Sequence, residues 1–248
     1  MQSHIRAFWL ALQFLTVLPT PKFTDLSEKE HQRAIVFFPA VGLVIGLILV
    51  LCFVLTQFMP TFLQASVLLS IWILLTGNLH IDGLSDSADA WVGGLGSKQR
   101  TLEIMKDVHA GPAGVTAIIL TLIVHFAAIV AVVETNYWQA LLLAPALARL
   151  VVLVLYQGMP YVREQGIGSV YVSGFTVKEL LFQLLGFLGL GFILVGGEIL
   201  LVFLLIAIFI AIFHFKWTYR IDGITGDVAG AAIVLVELIT MIAFATIT

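Results

Sequence analysis

Residues 67–90 read VLLSIWILLTGNLHIDGLSDSADA, and the way this stretch folds decides how the chain is organised. It opens as an uninterrupted apolar run and closes with three aspartates, Asp82, Asp86 and Asp89, within eight positions. Charged residues make up only 11% of the chain, so acid gathered at the edge of an apolar segment calls for a physical reason. If the helix expected over 62–79 continues through 80–90, the three aspartates fall at i, i+4 and i+7 and share one face. Like charges on one helix face repel, and a bound divalent cation removes that penalty. The plainer alternative is a solvated loop rich in Asp, Ser and Gly.

Working outward, 60% of the 248 residues are apolar and the mean hydropathy is +1.09, well above a soluble domain. Several uncharged runs reach the roughly 18 residues that carry a helix across a bilayer. They come in blocks and do not alternate, which excludes a membrane barrel. The expected fold is all-α: a polytopic bundle spanning at about 35–57, 62–79, 113–133, 140–157, 180–197, 199–213 and 228–247. Gly196 and Gly197 divide the fifth span from the sixth. Residues 5–18 are too short to cross and end at Pro19 and Pro21, which predicts an interfacial or re-entrant helix. No small-residue cleavage site follows them, so they do not read as a signal peptide.

Eleven of the twelve Lys and Arg lie in the N-terminal 34 residues or in 80–112, 158–179 and 214–227. The positive-inside rule makes that side cytoplasmic. The chain thus reads as one integral membrane domain, 1–248, with its polar loops on the cytoplasmic face. Cys52 is the only cysteine, which excludes disulfides and multi-cysteine metal sites. A net charge of −3 gives no sign of a nucleic-acid partner. The bilayer is the expected environment, and a homo-oligomer is left open.

Asp82 and Asp89 would lie roughly 10 Å apart along a helix, too far for one ion to take all three acids. Two ions, or one ion with a substrate, fit better. All-oxygen ligation favours Mg²⁺ or Mn²⁺ over zinc, because His80 and His109 lack a third nitrogen or sulfur ligand. In 93–114, GGLGSKQRTLEIMKDVHAGPAG, a helix is expected to carry Arg100, Glu103, Lys106 and Asp107, with Glu103 and Asp107 four apart on one face. Gly111 and Gly114 suit close approach of backbone to a phosphate. Arg163 and Asp227 belong to later polar loops. Arg149 falls inside a span, where an arginine requires a phosphate or a carboxylate partner; Glu237 in the last span is the structural candidate.

These residues also carry a resemblance. HIDGLSDSAD (80–89), RTLEIMKDVHAGPAG (100–114), REQGIGSV (163–170) and TGDVAGAAIVLVEL (225–238) resemble the adenosylcobinamide-GDP ribazoletransferase (cobalamin synthase) family. FLTVLPTP (14–21) and FFPAVGLVIG (37–46) also look like that family, so the likeness is in order over nearly the whole chain. Val108 departs from it, standing where a small residue or proline is usual.

The resemblance implies a multi-pass enzyme of the bacterial cytoplasmic membrane. It would join adenosylcobinamide-GDP to α-ribazole or its 5′-phosphate, release GMP, and form adenosylcobalamin or its 5′-phosphate, with Mg²⁺ as the metal. On that reading Asp82, Asp86 and Asp89 hold the ion, and Asp107 is a further ligand or the base. His80 is a second candidate base. Arg100, Lys106, Arg149, Arg163 and Asp227 contact substrate.

The nearest rival, a CDP-alcohol phosphotransferase, shares the spacing of Asp86 and Asp89 and of Glu103 and Asp107. It requires Gly directly after its second aspartate and Ala-Arg shortly beyond, where this chain has AWVGG at 90–94. A transporter would hold its charges at mid-membrane between repeated halves, and here they gather at one face. The orientation is testable with single cysteines in a chain lacking Cys52. An impermeant thiol reagent added to intact cells should label a cysteine at Thr135 and spare one at Ser97, and the reverse pattern would invert the topology.

Overall fold

Within a bilayer core, backbone groups find no water and must bond to one another, so the apolar blocks are bound to become helices. A computed structural model describes residues 2–163 and 167–247. Its helices are α1 (Gln2–Leu15), α2 (Glu28–Arg33), α3 (Phe38–Leu55), α4 (Thr61–Leu75), α5 (Leu79–Gly93), α6 (Lys98–Ile104), α7 (Pro112–Glu134), α8 (Gln139–Gly158), α9 (Val177–Val195), α10 (Glu198–Ile221) and α11 (Gly226–Ile247). Among the described residues there is no strand, only a single parallel bridge between Tyr161 and Ile224. Six stretches are each long and apolar enough to cross a membrane: 28–55, which runs α2 into α3, and α7, α8, α9, α10 and α11; taken together as one bent span, α4 and α5 make a seventh. The chain is an all-α, multi-pass membrane protein.

Two differences from the sequence reading matter. α10 extends beyond the expected 199–213 to Ile221, so most of 214–227 is helix and not loop. Nothing before Gly223 breaks it, and Arg220 in its last turn suits the negative end of the helix dipole. The second difference is at the opening stretch. The helix over 61–75 does not continue through 80–90. Gly77 and Asn78 take left-handed conformations, with φ of 61° and 62°, and the chain restarts as α5 at 85° to α4. Gly pays no steric cost at positive φ, and Asn tolerates it better than most residues. α5 therefore keeps the i, i+4, i+7 spacing of its aspartates but turns away from the span before it, and is not itself one of the six spanning stretches.

Small residues set the closest helix crossings, as expected where apolar lipid gives helices little reason to associate. A Cβ on Gly42 of α3 would lie 2.5 Å from Pro145 O and from Ala146 Cα of α8. Gly46, one turn on, meets the backbone of Leu142. α5 meets α11 in the same manner: a Cβ on Gly83 would be 2.6 Å from Asp227 O, and one on Gly230 would be 3.5 Å from His80 Cα. α1 packs against the 3₁₀ turn Ala34–Phe37 and against α3, burying Ala7, Ala11 and Leu15.

α8 is the most enclosed of the spanning helices, and it carries Arg149, which is wholly buried. The guanidinium pairs with Glu237 of α11, and its Nη1 also donates to Pro145 O at 3.2 Å. Trp72 of α4 donates its indole N–H to Glu237 Oε1 at 3.2 Å. Three helices are thus tied through one carboxylate. Removing one partner of a buried pair strands the other charge, at a cost of about 3–5 kcal/mol, whereas replacing both with apolar residues is often neutral. Arg149→Met should lower the melting temperature sharply or prevent accumulation, and Arg149→Met combined with Glu237→Met should recover most of the loss. A single variant as stable as wild type would remove the pair from the account of stability.

Candidate active site

The cytoplasm-assigned end of the bundle is assembled from chain segments far apart in sequence. The segment after α8 runs beside the one after α10: Ile224 N–H donates to Pro160 O at 2.9 Å, and Val162 N–H to Ile224 O at 3.0 Å. That pairing places Arg163 against Asp227 in the first turn of α11, with Nη1 and Oδ2 2.7 Å apart. Arg163 also donates from Nη2 to Met105 O at 2.9 Å, which draws the turn after α6 to the same place. The crossing of Gly83 and Gly230 brings α5 alongside α11, and so brings Asp82 and Asp86 toward Asp227.

These elements line a cavity of about 690 Å³ whose charged and titratable wall residues are His80, Asp82, Lys106, Arg163 and Asp227. Asp86 lies on α5, outside the spanning helices. Its carboxyl is pushed up to about 7, by burial first and then by the like charges of Asp82 and Asp227, with Arg163 opposing. The contact of Arg163 with Asp227 is ionic without hydrogen-bond alignment, so the buried Oδ2 of Asp227 has no aligned donor among the described residues. A buried carboxylate oxygen with spare accepting capacity, beside two further acids, is a donor set that fits a hard divalent cation. No three His, Cys, Asp or Glu side chains among the described residues form a ready cage. A Mg²⁺ ion would take one or two of these carboxylates and would need water and substrate phosphate to complete its shell.

Asp89 is placed differently from its two neighbours on α5. Its oxygens accept the backbone N–H of Gly111 at 2.7 Å and of Gly114 at 2.9 Å. They supply the cap that α7 lacks, since Gly111 offers no side chain and Pro112 follows it. A Cβ on Gly111 would stand 2.5 Å from Asp89 Oδ1, and one on Gly114 would meet the same carboxylate. The two glycines read as room for a phosphate are filled by this carboxylate.

The remaining candidates separate. Lys106 and His80 are on the cavity wall, and His80 is buried with its Nε2 unpartnered among the described residues. α6 ends at Ile104, so Glu103 and Asp107 do not share a helix face as expected. The chain tightens there into turns, with Lys106 N–H to Glu103 O and Asp107 N–H to Ile104 O, each at 3.0 Å. Asp107 is exposed and caps His109, accepting from its N–H at 3.1 Å and lying 2.8 Å from its Nδ1. Those hydrogen bonds hold its carboxyl below the usual range, which makes it a poorer base. Arg100 is exposed and lies 3.6 Å from Glu103. Arg149 lies in the body of the bundle with Glu237. Residues 164–166 of the quoted REQGIGSV stretch fall outside the described residues.

Three further contacts were not legible as site features. Tyr156 and Tyr161 line the cavity, their rings 5.8 Å apart and edge to face; the only hint was that Tyr161 precedes the REQG stretch. Arg220 of α10 lies over the Trp91 ring at 4.5 Å and donates to Gly94 O at 3.3 Å and to Trp91 O. It thereby holds the far end of α5.

A helical membrane bundle whose acids and bases converge on one cavity at one end defines a multi-pass membrane enzyme. The chain belongs to the cobalamin-5-phosphate synthase family, whose model matches residues 7–245. It is 41% identical to the adenosylcobinamide-GDP ribazoletransferase of Acinetobacter baumannii, over 96% of each chain. It is 41% identical to the protein of that name from Pseudomonas entomophila, over 96% of this chain and 98% of the relative. For that of Stutzerimonas stutzeri the figure is 39%, over 95% and 96%. No solved structure matches the chain.

The geometry separates the three aspartates of α5 by experiment. Hydrogen bonds to a charged group are worth about 1.5–3 kcal/mol, so Asp89→Asn should lower the melting temperature by weakening the hold on α7. Asp82→Asn and Asp86→Asn relieve repulsion and should leave the melt unchanged or raise it. Three equal melting curves would show that Asp89 does not fasten α7.

Proposed function

We propose that the chain transfers the phosphocobinamide group of adenosylcobinamide-GDP to α-ribazole or its 5′-phosphate. GMP is released and adenosylcobalamin or its 5′-phosphate is formed, as a late step of cobalamin biosynthesis. The observation that carries this reading is that Asp82, Asp227, Lys106 and Arg163 line one cavity in a chain of this family. The membrane is the bacterial inner membrane and the site faces the cytoplasm, a placement supported by the gathering of Lys and Arg on that side.

In the reaction a ribose hydroxyl of the acceptor attacks the phosphorus attached to cobinamide. The bond from that phosphorus to the oxygen of GMP breaks, and the hydroxyl proton passes to a base. Such transfers depend chiefly on positioning and on neutralising charge. Lys106 and Arg163 supply positive charge to the diphosphate, and Arg163 is itself fixed by Asp227 and by Met105 O. His80 is the candidate base on the cavity wall. Mg²⁺, with Mn²⁺ as a substitute, would be held by one or two of Asp82, Asp86 and Asp227. When bound, the ion would offset charge on the phosphate oxygens as the bond to GMP breaks.

Purified protein incubated with adenosylcobinamide-GDP, α-ribazole 5′-phosphate and Mg²⁺ should release GMP and yield a corrinoid product of matching mass. EDTA should abolish the reaction and Mg²⁺ or Mn²⁺ restore it. Asp82→Asn and Asp86→Asn should lower the rate on the order of 10²-fold or more, since losing a ligand removes several kcal/mol of transition-state stabilisation. Absence of GMP release would sink the reading, and full turnover after exhaustive chelation would remove the metal from it.

A further inference from the structure

The cavity lining is of two kinds. Besides its charged residues, the wall includes Phe14 of α1, Phe38 of α3, Val152 and Tyr156 of α8, and Ile233 of α11. The rings of Phe14 and Phe38 stack at 5.8 Å, and Tyr171 meets both, at 5.2 Å and 5.3 Å. Of the five wall residues only Tyr156 has a hydrogen-bonding side chain. The lining on α11 also includes Ala229 and Gly230, which add little bulk and leave room for a flat group. α1 is too short to span, and its last turn supplies part of this wall.

We infer that the apolar part of this lining seats the base of the acceptor nucleoside, an unpolar, methylated, fused aromatic ring, with its ribose toward the charged residues and the corrinoid of the donor held outside the cavity. This rests on the function proposed above. Volume supports it: about 690 Å³ lies within the roughly 300–1,000 Å³ of pockets that enclose drug-sized ligands. A nucleoside phosphate fits that range, and a corrin macrocycle with its nucleotide exceeds it. Chemistry separates the two nucleosides of the reaction. The outer edge of dimethylbenzimidazole carries only C–H and methyl groups, which match Phe14, Phe38, Val152 and Ile233. The outer edge of guanine carries an amide N–H, an amino group and a carbonyl, which those side chains would leave unpaired.

The test uses the full chain in detergent and measures binding apart from turnover. Calorimetric titration should show that α-ribazole alone binds the wild type, and that the α-riboside of hypoxanthine, with a polar ring edge, binds at least tenfold more weakly. Val152→Phe adds bulk to the apolar lining and should raise the dissociation constant of α-ribazole at least tenfold. The KM for adenosylcobinamide-GDP should stay within twofold. Phe14→Ala, on a helix outside the spanning stretches, should weaken α-ribazole several-fold and guards against a Val152 variant that does not fold. Displacement of α-ribazole by GMP in simple competition would overturn the assignment. So would unchanged α-ribazole binding in folded variants of a protein that still releases GMP, and that result would leave the reaction itself standing. A wild type that neither releases GMP nor binds α-ribazole would end both.

Discussion

The left-handed turn at Gly77 and Asn78 governs everything at the charged end of this molecule. An apolar helix that simply ran on would point Asp82 and Asp86 along its own axis, away from the rest of the bundle. By turning 85°, the chain lays α5 beside α11, and the absence of a side chain at Gly83 lets the two backbones meet. Only then does Asp227, in the first turn of α11, join the acids of α5. Burying like charges together costs free energy, and it is offset here by Arg163, which the paired segments at 160–162 and 222–224 hold in place. Each piece follows from the one before it, beginning with two residues that tolerate positive φ.

Part of this was legible in the sequence and part was not, for definite reasons. The apolar blocks declared the spans because a bilayer allows little else. The common face of Asp82 and Asp86 followed from helical spacing alone, which survives a change in helix direction. The change of direction itself was hidden, because Gly77 and Asn78 sit inside a stretch whose hydropathy reads as continuous. Spacing also could not tell that Asp89, on the same helix, is taken up by the N–H groups of Gly111 and Gly114. That depends on where a distant helix begins. Asp227 could be singled out as polar but not joined to Asp82, since no local pattern reports a contact across so much chain. Arg149 and Glu237 were the exception: two charges in membrane-spanning segments have few partners other than each other, so the pair could be expected before it was seen.

The buried pair and the charged cavity show two ways of placing charge in an apolar bundle. Arg149 and Glu237 neutralise each other at close range, with Trp72 completing the carboxylate's contacts. The result ties α4, α8 and α11 together. At the cavity the balance is incomplete, with Asp82 and Asp227, and Asp86 close by, set against Arg163 and Lys106 in a space that a ligand can enter. A bundle with only the first arrangement would be stable and inert. The second is where binding energy can be used, because its charges are not fully satisfied by the protein itself.

α5 is held at both ends. At one end it leaves a turn of fixed conformation; at the other, Arg220 grips the carbonyls of Trp91 and Gly94 and lies over the Trp91 ring. In mechanical terms it is a beam clamped at two supports and pressed along its length by α11. Such a beam has little freedom to swing, so the spacing of Asp82 and Asp86 belongs to the scaffold and not to whatever binds there. A ligand arriving at the cavity meets carboxylates already set at their working separation, and little of its binding energy is spent on bringing them together.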